Sequence, residues 1–289
     1  MNPLPPLNRY RREVEVLLPW ILRAGEIALR VQQGPLQVDY KGRNDPVTEA
    51  DREINRLLVQ ALRDAFPQDA VLAEESADEP GTRLGNPRLW CVDPLDGTRE
   101  FTERIPQWCI MVGLAVDGHA SLGIVYAPAR DLLLVGSPDQ GAWRWHQRTW
   151  KPLRVSTLRD PHRATVVVSR SHRSPKTDAL LRALGVRREI RHGSVGLKIS
   201  LLALQQADLY LHPSGGTKEW DLCAPEAILH GAGGRMTDLW GRPFRYNQPD
   251  PRNPHGLIAS NGLLHPAALE AVRRVLGNPE DTQPPRGGV

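Results

Sequence analysis

Apolar residues recur at helical spacing over one stretch of the chain and predict an amphipathic helix there. The repeating positions are Ile54, Leu57, Leu58, Ala61, Leu62, Ala65 and Phe66. Thr48 can cap the start of this helix, Asp51 lies three residues further on as in a capping box, and Pro67 ends it. The pattern therefore places Asp51 at a helix N-terminus. An earlier helical pattern covers residues 11–32, and we expect Pro19 to interrupt it.

Two short apolar runs are each followed at once by acidic residues. The segment AVLAEES predicts a buried strand that leads into Glu74, and LWCVDPLDGT predicts a second strand that leads into Asp93 and Asp96. In isolation, DPLDGT could equally be a surface turn, since Pro, Asp and Gly all suit turns. Two strands that end in carboxylates indicate one acidic rim.

The middle of the chain has the pattern of an antiparallel meander, and the remainder alternates strands with helices. Residues 109–128 form two β-rich runs around Asp117-Gly118, a strong hairpin signal. From about residue 160 the alternation is typical of an α/β arrangement. We therefore predict an α+β subdomain over residues 1–155 and an α/β subdomain over residues 156–277. Residues 278–289 lack apolar residues, which predicts a disordered tail.

Composition and charge exclude several classes of protein. Hydrophobic residues make up 40% of the 289 positions, enough for a sizeable core. The net charge of +4 is scattered, which disfavours nucleic-acid binding. Cys91, Cys109 and Cys223 are an odd number without CxxC spacing, so we expect neither a disulfide framework nor a zinc site. No signal peptide or apolar span of about 20 residues is present, and we expect a cytoplasmic protein without integral membrane contact.

Five acidic residues lie at a predicted helix start or strand exit, where their side chains can converge. They are Asp51, Glu74, Asp93, Asp96 and Asp221. Two like charges about 4 Å apart repel by roughly 4 kcal/mol at an effective dielectric constant near 20, so such a cluster needs protons or cations. With no His or Cys in the cluster, oxygen ligands favour Mg²⁺, Mn²⁺ or Ca²⁺ over zinc. For Asp221 alone, simple helix capping is an equally good interpretation.

The residues after Asp96 are suited to bind a phosphate group. If a helix begins in GTREFTERI, the backbone N–H groups of Gly97 and Thr98 point out of its N-terminus and form an anion site. The Thr98 hydroxyl lies beside the acidic cluster in the same turn. Metal and phosphate could then be bound by one continuous segment.

Several ordered motifs resemble those of the inositol monophosphatase superfamily of Mg²⁺-dependent, lithium-sensitive phosphatases. They are DPVTEAD (residues 45–51), EES (74–76), DPLDGT (93–98) and WD (220–221) followed by GAGG (231–234). Within that superfamily, VSRSH, GSVGLK, ADLYLH and WGRPFRYNQ resemble the bacterial 3′(2′),5′-bisphosphate nucleotidases. The resemblance extends from about residue 41 to 262. It implies the layered α-β-α-β-α sugar-phosphatase fold.

The resemblance also implies roles for individual residues. The implied metal ligands are Glu74, Asp93, the backbone carbonyl of Leu95, Asp96 and Asp221. Asp51 and Thr98, with Glu74, would orient and activate the attacking water, while the amides of Gly97 and Thr98 would hold the scissile phosphate. The implied substrate contacts are Gly97, Thr98, His172, Gly193, Ser194, Lys198 and Asp221. For His172 an exposed loop histidine, and for Lys198 a snorkelling helix lysine, are competing interpretations.

The implied reaction is hydrolysis of adenosine 3′,5′-bisphosphate to AMP and phosphate. Two or three Mg²⁺ ions are the implied cofactors, with Mn²⁺ as a substitute and with Li⁺ and Ca²⁺ as inhibitors. The implied partner is this small phosphorylated substrate, and the family's frequent dimers also allow a homodimer. Inositol monophosphate or fructose 1,6-bisphosphate hydrolysis is the alternative activity, and a non-catalytic sensor of metal and phosphorylated ligands is a remote one. Pro225, Glu226, Ala73, Val195 and Gly196 depart from the family pattern and bear on the choice of substrate.

Overall fold

The computed structural model describes residues 4–42, 45–171 and 173–277. In the described part of the chain, the α-helices are α1 (Arg11–Gln33), α2 (Glu49–Ala65), α3 (Pro80–Arg83), α4 (Thr98–Thr102), α5 (Pro175–Leu184), α6 (Val195–Ala203), α7 (Glu219–Gly231) and α8 (His265–Leu276). The strands of the first half are β1 (Val38–Gly42), β2 (Asp45–Thr48), β3 (Ala70–Ala73), β4 (Arg88–Asp96), β5 (Cys109–Val116), β6 (His119–Ala127), β7 (Leu132–Ser137), β8 (Gly141–His146) and β9 (Thr149–Pro152). Those of the second half are β10 (Thr165–Ser169), β11 (Arg188–His192), β12 (Leu209–His212), β13 (Thr217–Lys218), β14 (Arg235–Thr237), β15 (Arg252–Asn253) and β16 (Leu257–Ser260).

The first large sheet has seven strands in the order β3-β4-β5-β6-β7-β8-β9. Strand β3 runs parallel to β4, and every following pair is antiparallel. The predicted hairpin is confirmed, because Asp117 and Gly118 join β5 to β6 with positive φ angles of 51° and 75°. The acidic rim lies at one edge of this sheet, since parallel neighbours such as β3 and β4 end on the same side.

Helix α1 is continuous through Pro19, and the predicted interruption is wrong. Pro19 lies on the exposed face of the helix, whereas Val14, Leu17 and Ile21 on the opposite face are almost fully buried. Burial of this face against α2 and the seven-stranded sheet offsets the roughly 3 kcal/mol that an internal proline costs a helix.

The second large sheet has five strands in the order β11-β10-β12-β16-β14. Its first three strands are parallel, while β16 is antiparallel to both β12 and β14. The alternating pattern after residue 160 predicts strands at TVVVSRS, DLYLH, GGRMTD and GLIAS, which correspond to β10, β12, β14 and β16, but it predicts none at β11. Four of the five residues of β11 are polar or charged, so this edge strand lacks the apolar alternation that identifies a half-buried strand.

The elements stack in five layers, which confirms the predicted α-β-α-β-α fold. Helices α1 and α2 cover one face of the seven-stranded sheet. Helices α6 and α7 lie between the two large sheets, where Ile199 and Leu229 share a core with Val167 of the second sheet. Helices α5 and α8 cover the outer face of the five-stranded sheet. Each sheet is therefore buried on both faces by helices.

A row of three glycines lets α7 lie directly on the first sheet. Gly113, Gly123 and Gly136 are register partners on β5, β6 and β7. A Cβ atom at Gly113 would lie 2.7 Å from the backbone nitrogen of Ala224, and one at Gly136 would lie 2.8 Å from the Cα of Ile228. A Cβ atom at Gly123 would also overlap the backbone of Ala224. We call these residues the glycine row, and it seats the helix that bears Asp221.

The strands of the seven-stranded sheet all precede the predicted boundary near residue 155, and those of the five-stranded sheet all follow it. The boundary itself stays a prediction. Helix α7, which follows the boundary in sequence, packs on the sheet that precedes it. The predicted tail, residues 278–289, lies outside the described residues. Cys91, Cys109 and Cys223 are buried and free. Within the described ranges, no helix has the length and apolar character needed to cross a membrane.

Candidate active site

A bulge in β4 sets the position of Asp93. The register with β5 is regular as far as Asp93 opposite Met111 and resumes at Asp96 opposite Cys109, so two residues of β4, Pro94 and Leu95, face one residue of β5, Ile110. Such a bulge bends the strand and redirects its side chains. The Asp93 carboxylate is 1% exposed and accepts a hydrogen bond from the Leu95 N–H at 3.0 Å.

The parallel pairing of β3 and β4 places Glu74 beside Asp93. The Glu74 N–H donates to the Val92 carbonyl at 3.1 Å, which extends the ladder one residue beyond β3. Glu74 is half-buried at the point where the chain leaves the sheet. Its charge is among the causes that raise the pKa of Asp93, so the structure brings these two sequence-predicted residues together.

The N-terminus of α2 presents Asp51 to the same edge. One oxygen of Asp51 accepts hydrogen bonds from the Thr48 N–H at 2.8 Å and the Thr48 hydroxyl at 2.5 Å, as in the predicted capping box. The other oxygen lies 3.3 Å from the Thr98 hydroxyl, which is also 3.0 Å from the Leu95 carbonyl oxygen. The pKa of Asp51 is raised to about 6, mainly by burial and to a smaller extent by the charges of Glu75 and Glu74, while the hydrogen bonds from Thr48 act in the opposite direction.

The surroundings of Asp93 and Asp221 disfavour the charged form of both carboxyl groups. Burial raises the pKa of Asp93 well above its ordinary value, and the charges of Glu74, Asp96 and Asp221 add to the effect. Burial likewise raises the pKa of Asp221, with Glu74 and Asp96 as the next causes. The Lys218 N–H donates to Asp221 at 2.7 Å, as in helix capping. Four carboxylates from three separate segments of the chain thus lie close enough for their charges to repel one another, and cations would relieve this repulsion.

Asp96 is engaged by the N-terminus of α6. Its carboxylate accepts hydrogen bonds from the Ser194 hydroxyl at 2.5 Å, the Val195 N–H at 3.1 Å and the Gly196 N–H at 2.6 Å. Among the residues the structure describes, no three His, Cys, Asp or Glu side chains stand in a ready ligand shell. The donor set is nevertheless made of oxygens alone and is partly desolvated, which fits Mg²⁺. Because no such shell is formed among the described residues, metal binding would require some of these side chains to shift.

A cavity of about 270 Å³ opens beside these residues. Its lining includes six of the residues predicted from the sequence, namely Asp96, Gly97, Thr98, Gly193, Ser194 and Lys198. Its other lining residues are Pro46, Arg99, Glu100, Ser169, Ser171, Val195, Tyr210 and His212. The cavity therefore connects the DPLDGT turn of the first sheet to strands β10 and β12 of the second.

Gly97 gives the turn its shape. It is the N-cap residue immediately before α4 and has a φ angle of +96°, a conformation that glycine adopts without strain. A Cβ atom here would lie 2.8 Å from the Gln107 carbonyl oxygen. The expected helix in GTREFTERI is confirmed as the short α4, which begins at Thr98.

Lys198 lies in the wall of the cavity and is almost fully buried. Its ammonium donates to the Ser194 carbonyl at 2.7 Å and lies 5.3 Å from the ring centre of Tyr210. Burial lowers the pKa of Lys198, whereas the charges of Asp96 and Glu100 act in the opposite direction. The side chain at 3% exposure does not snorkel to solvent. An acceptor-rich anion such as phosphate would match this buried cation.

Sequence reasoning assigned no role to Glu100, Ser171 or Tyr210. Ser171 donates to the Glu100 carboxylate at 3.1 Å, and Glu100 packs against the backbone of Gly193 so closely that a Cβ atom there would overlap it. These residues come from α4, the end of β10 and β12, and only the folded chain juxtaposes them. His172, a predicted substrate contact, lies outside the described residues.

Comparisons with known proteins agree with this geometry. The model of the "Inositol monophosphatase family" matches residues 10–276. The 3′(2′),5′-bisphosphate nucleotidase CysQ of Escherichia coli K12 is 35% identical over 227 residues, 77% of this chain and 89% of that protein. A histidinol-phosphatase of Mycobacterium tuberculosis is 32% identical over 260 residues, 86% of this chain and 92% of that protein.

Solved structures show the same fold. The IMPase of Thermotoga maritima superposes with a TM-score of 0.78 at 26% identity, covering 91% of this chain and 98% of that one. The CysQ of Bacteroides thetaiotaomicron, described as a bacterial member of the inositol monophosphatase family, gives a TM-score of 0.74 at 29% identity and covers 86% and 96%.

The layered fold, the acidic rim beside a cavity of about 270 Å³ and the family match define a phosphatase. The chain belongs to the inositol monophosphatase family.

Proposed function

We propose that this protein is a Mg²⁺-dependent phosphomonoesterase that hydrolyses adenosine 3′,5′-bisphosphate to AMP and phosphate. One observation carries the proposal: the cavity joins the DPLDGT turn to the buried ammonium of Lys198. A substrate with two separated anionic groups could place the scissile phosphate at Gly97 and Thr98 and its second phosphate near Lys198. The similarity to 3′(2′),5′-bisphosphate nucleotidases supports the same substrate.

The metal ligands in this proposal are Glu74, Asp93, the Leu95 carbonyl, Asp96 and Asp221. Two or three Mg²⁺ ions held there would supply positive charge that lowers the pKa of water and offsets charge on the phosphate oxygens. The mutual repulsion of these carboxylates supports this assignment, because burial and neighbouring charges raise the pKa of Asp93 and Asp221 and a shared cation would offset both effects. Mn²⁺ would substitute, since it accepts the same oxygen ligands.

The proton of the attacking water would pass toward Asp51. The Thr98 hydroxyl lies within 3.3 Å of an Asp51 oxygen and can donate to it, which leaves the Thr98 oxygen as acceptor for a water proton. The pKa of Asp51, about 6, suits a group that takes up and releases protons near neutral pH. The amides of Gly97 and Thr98 would orient the phosphate, while Gly193 and Ser194 would border the substrate on the side of the second sheet.

Histidinol phosphate is a second candidate substrate, favoured by a specific observation. The carboxylate of Glu100 lines the same cavity and is 4% exposed. The Glu100 carboxylate could form an ion pair with the ammonium group of an amino-alcohol phosphate, whereas the positive charge of Lys198 would repel that ammonium group. The relative named histidinol-phosphatase covers more of this chain than CysQ does, so the experiment must include both substrates.

The decisive experiment measures phosphate release from adenosine 3′,5′-bisphosphate, histidinol phosphate, inositol 1-phosphate and fructose 1,6-bisphosphate with Mg²⁺, with and without Li⁺. We expect adenosine 3′,5′-bisphosphate to have the largest kcat/KM, and we expect Li⁺, Ca²⁺ and the substitution Asp96→Asn each to suppress release. The matched control is Asp64→Asn, an exposed acid of α2 far from the rim that bonds only with Gln60 in the described hydrogen-bond network. Equal turnover of all four substrates would contradict the nucleotidase proposal.

A further inference from the structure

The hydroxyl of Tyr210 is buried without a hydrogen-bond partner in the described structure. Tyr210 lies on β12 and is 1% exposed. A buried polar group that makes no hydrogen bond is destabilising, and phenylalanine would fill nearly the same space without that cost. The phenol at this position therefore needs an explanation beyond packing.

Its location supplies one. Of the described residues with a buried, unpartnered side-chain polar atom, Tyr210 is the one that lines the cavity. The Lys198 ammonium lies 5.3 Å from the centre of its ring. That ammonium has three protons, and the Ser194 carbonyl accepts one of them at 2.7 Å. The ring that bears this hydroxyl thus lies beside a cation in the wall of the cavity.

The phenol also stays protonated. Burial raises the pKa of Tyr210 well above its ordinary value, and the charges of Asp96 and Asp221 raise it further. At neutral pH the Tyr210 hydroxyl is therefore a hydrogen-bond donor that has no acceptor in the described structure. Phosphate oxygens and sugar oxygens both accept hydrogen bonds, and a phosphate bears charge that Lys198 would complement.

We propose that Tyr210 is a specificity-determining residue whose hydroxyl donates a hydrogen bond to an acceptor oxygen on the non-scissile part of the substrate. The acceptor is an oxygen of the second phosphate or of the sugar, next to the Lys198 ammonium. This inference rests on the proposed function and assigns a role to a residue of the ADLYLH segment for which the sequence alone indicated none. It also explains why the wall combines a buried cation with an uncharged donor.

The test compares Tyr210→Phe with wild type and with the matched control Tyr10→Phe. Tyr10 is equally buried, at 3% exposure, but packs in the α1 core away from the cavity. The measurements are kcat and KM for adenosine 3′,5′-bisphosphate and adenosine 3′-monophosphate, the Kd of AMP by calorimetry, and the melting temperature. AMP lacks the scissile phosphate, so its binding is measured without turnover.

For Tyr210→Phe we expect KM for the bisphosphate and Kd for AMP to rise about tenfold, with kcat within about twofold and the melting temperature unchanged or higher. An increase in KM for the bisphosphate alone assigns the contact to the second phosphate, and an equal increase for both nucleotides assigns it to the sugar. Tyr10→Phe should leave both constants unchanged.

Two results would overturn the inference: KM and Kd that stay within twofold of wild type, or a lower melting temperature with unaltered binding. If wild type releases phosphate from neither nucleotide, the proposed function fails independently. In that case the Kd of AMP still decides the role of Tyr210, since tenfold weaker binding by Tyr210→Phe supports it and equal or absent binding rejects it.

Discussion

Helix α7 bears three acidic residues, of which Glu219 and Glu226 are buried and Asp221 is half-buried. Asp221 in its first turn and Glu226 in its second differ in how the charge is compensated. Glu226 is 4% exposed, forms a hydrogen bond with the Tyr246 hydroxyl, and lies 3.8 Å from the ring of His230. Burial raises the pKa of Glu226 to about 8 and lowers that of His230 to about 4, so both are neutral at pH 7.

Asp221 instead faces other acids. Its raised pKa results from burial and from the charges of Glu74 and Asp96, and Asp93 on the adjacent sheet is in the same situation. A lone buried acid can be neutralised by one proton, whereas several converging acids are better neutralised by cations that they share. Burial alone therefore does not indicate that an acid binds a metal, whereas convergence with other acids does.

The largest effect should come from removing one of the converging acids. Asp93→Asn should lower kcat/KM by about 10⁴-fold, because it weakens the binding of cations that supply several kcal/mol of transition-state stabilisation. Steady-state kinetics with saturating Mg²⁺ measure this. Metal-free Asp93→Asn should melt at or above the temperature of wild type, since a repelling charge is removed. A lower melting temperature would show that Asp93 has a structural role.

The next effect concerns the pH dependence that Glu226 produces. Its pKa in the folded protein, about 8, lies above the ordinary value of 4.5, so its contribution to stability is complete below pH 4.5 and is lost as the pH rises through 8. The difference between pKa values of 4.5 and about 8 corresponds to roughly 5 kcal/mol of folding free energy. Denaturant unfolding between pH 5 and 9 should show this decline in wild type and a much smaller one in Glu226→Gln. Equal declines would mean that other groups cause it.

Binding of Mg²⁺ should separate the two environments directly. At about 100 times its Kd, a ligand that binds only the folded state stabilises it by roughly 2.7 kcal/mol. For a chain of this size we expect the melting temperature to rise by roughly 4–5 °C. Wild type and Glu226→Gln should both gain this increase, and Asp93→Asn should not. An increase shared by all three proteins would place the bound ion outside the rim.

The smallest effect should come from Ser194→Ala. Ser194 donates to Asp96 and accepts a hydrogen bond from the Leu197 N–H as the N-cap of α6. Loss of such a cap costs about 1 kcal/mol. If metal binding withdraws Asp96 from the Ser194 hydroxyl, the cost should be larger in the metal-free protein than with Mg²⁺. Unfolding free energies in both states test this, and equal costs would show that Asp96 keeps its contact with Ser194 when the metal is bound.

Local patterns predicted the elements and turns whose determinants lie within a few residues. The capping box of Thr48 and Asp51, the hairpin at Asp117 and the start of α4 after Gly97 all depend on neighbouring residues. Helix α1 was less predictable, because long-range packing overrides the local effect of Pro19.

The candidate site was predictable only in part. Motif resemblance indicated the acids and Lys198, since each lies in a contiguous segment. The engagement of Asp96 by α6 and the wall formed by Glu100 and Tyr210 arise from contacts between residues about 70 to 115 positions apart. No local pattern encodes such contacts when they are made by single polar side chains.

The glycine row also limits which sequences this protein can accept. Alanine is normally the mildest of substitutions, yet at Gly113, Gly123 or Gly136 the added methyl group would overlap the backbone or side chains of α7. The helix would have to lift off the sheet and take Asp221 with it, away from Asp93. The position of the acidic rim therefore depends on residues that have no reactive group of their own. Random mutagenesis should inactivate the enzyme at the glycine row almost as readily as at the acids themselves.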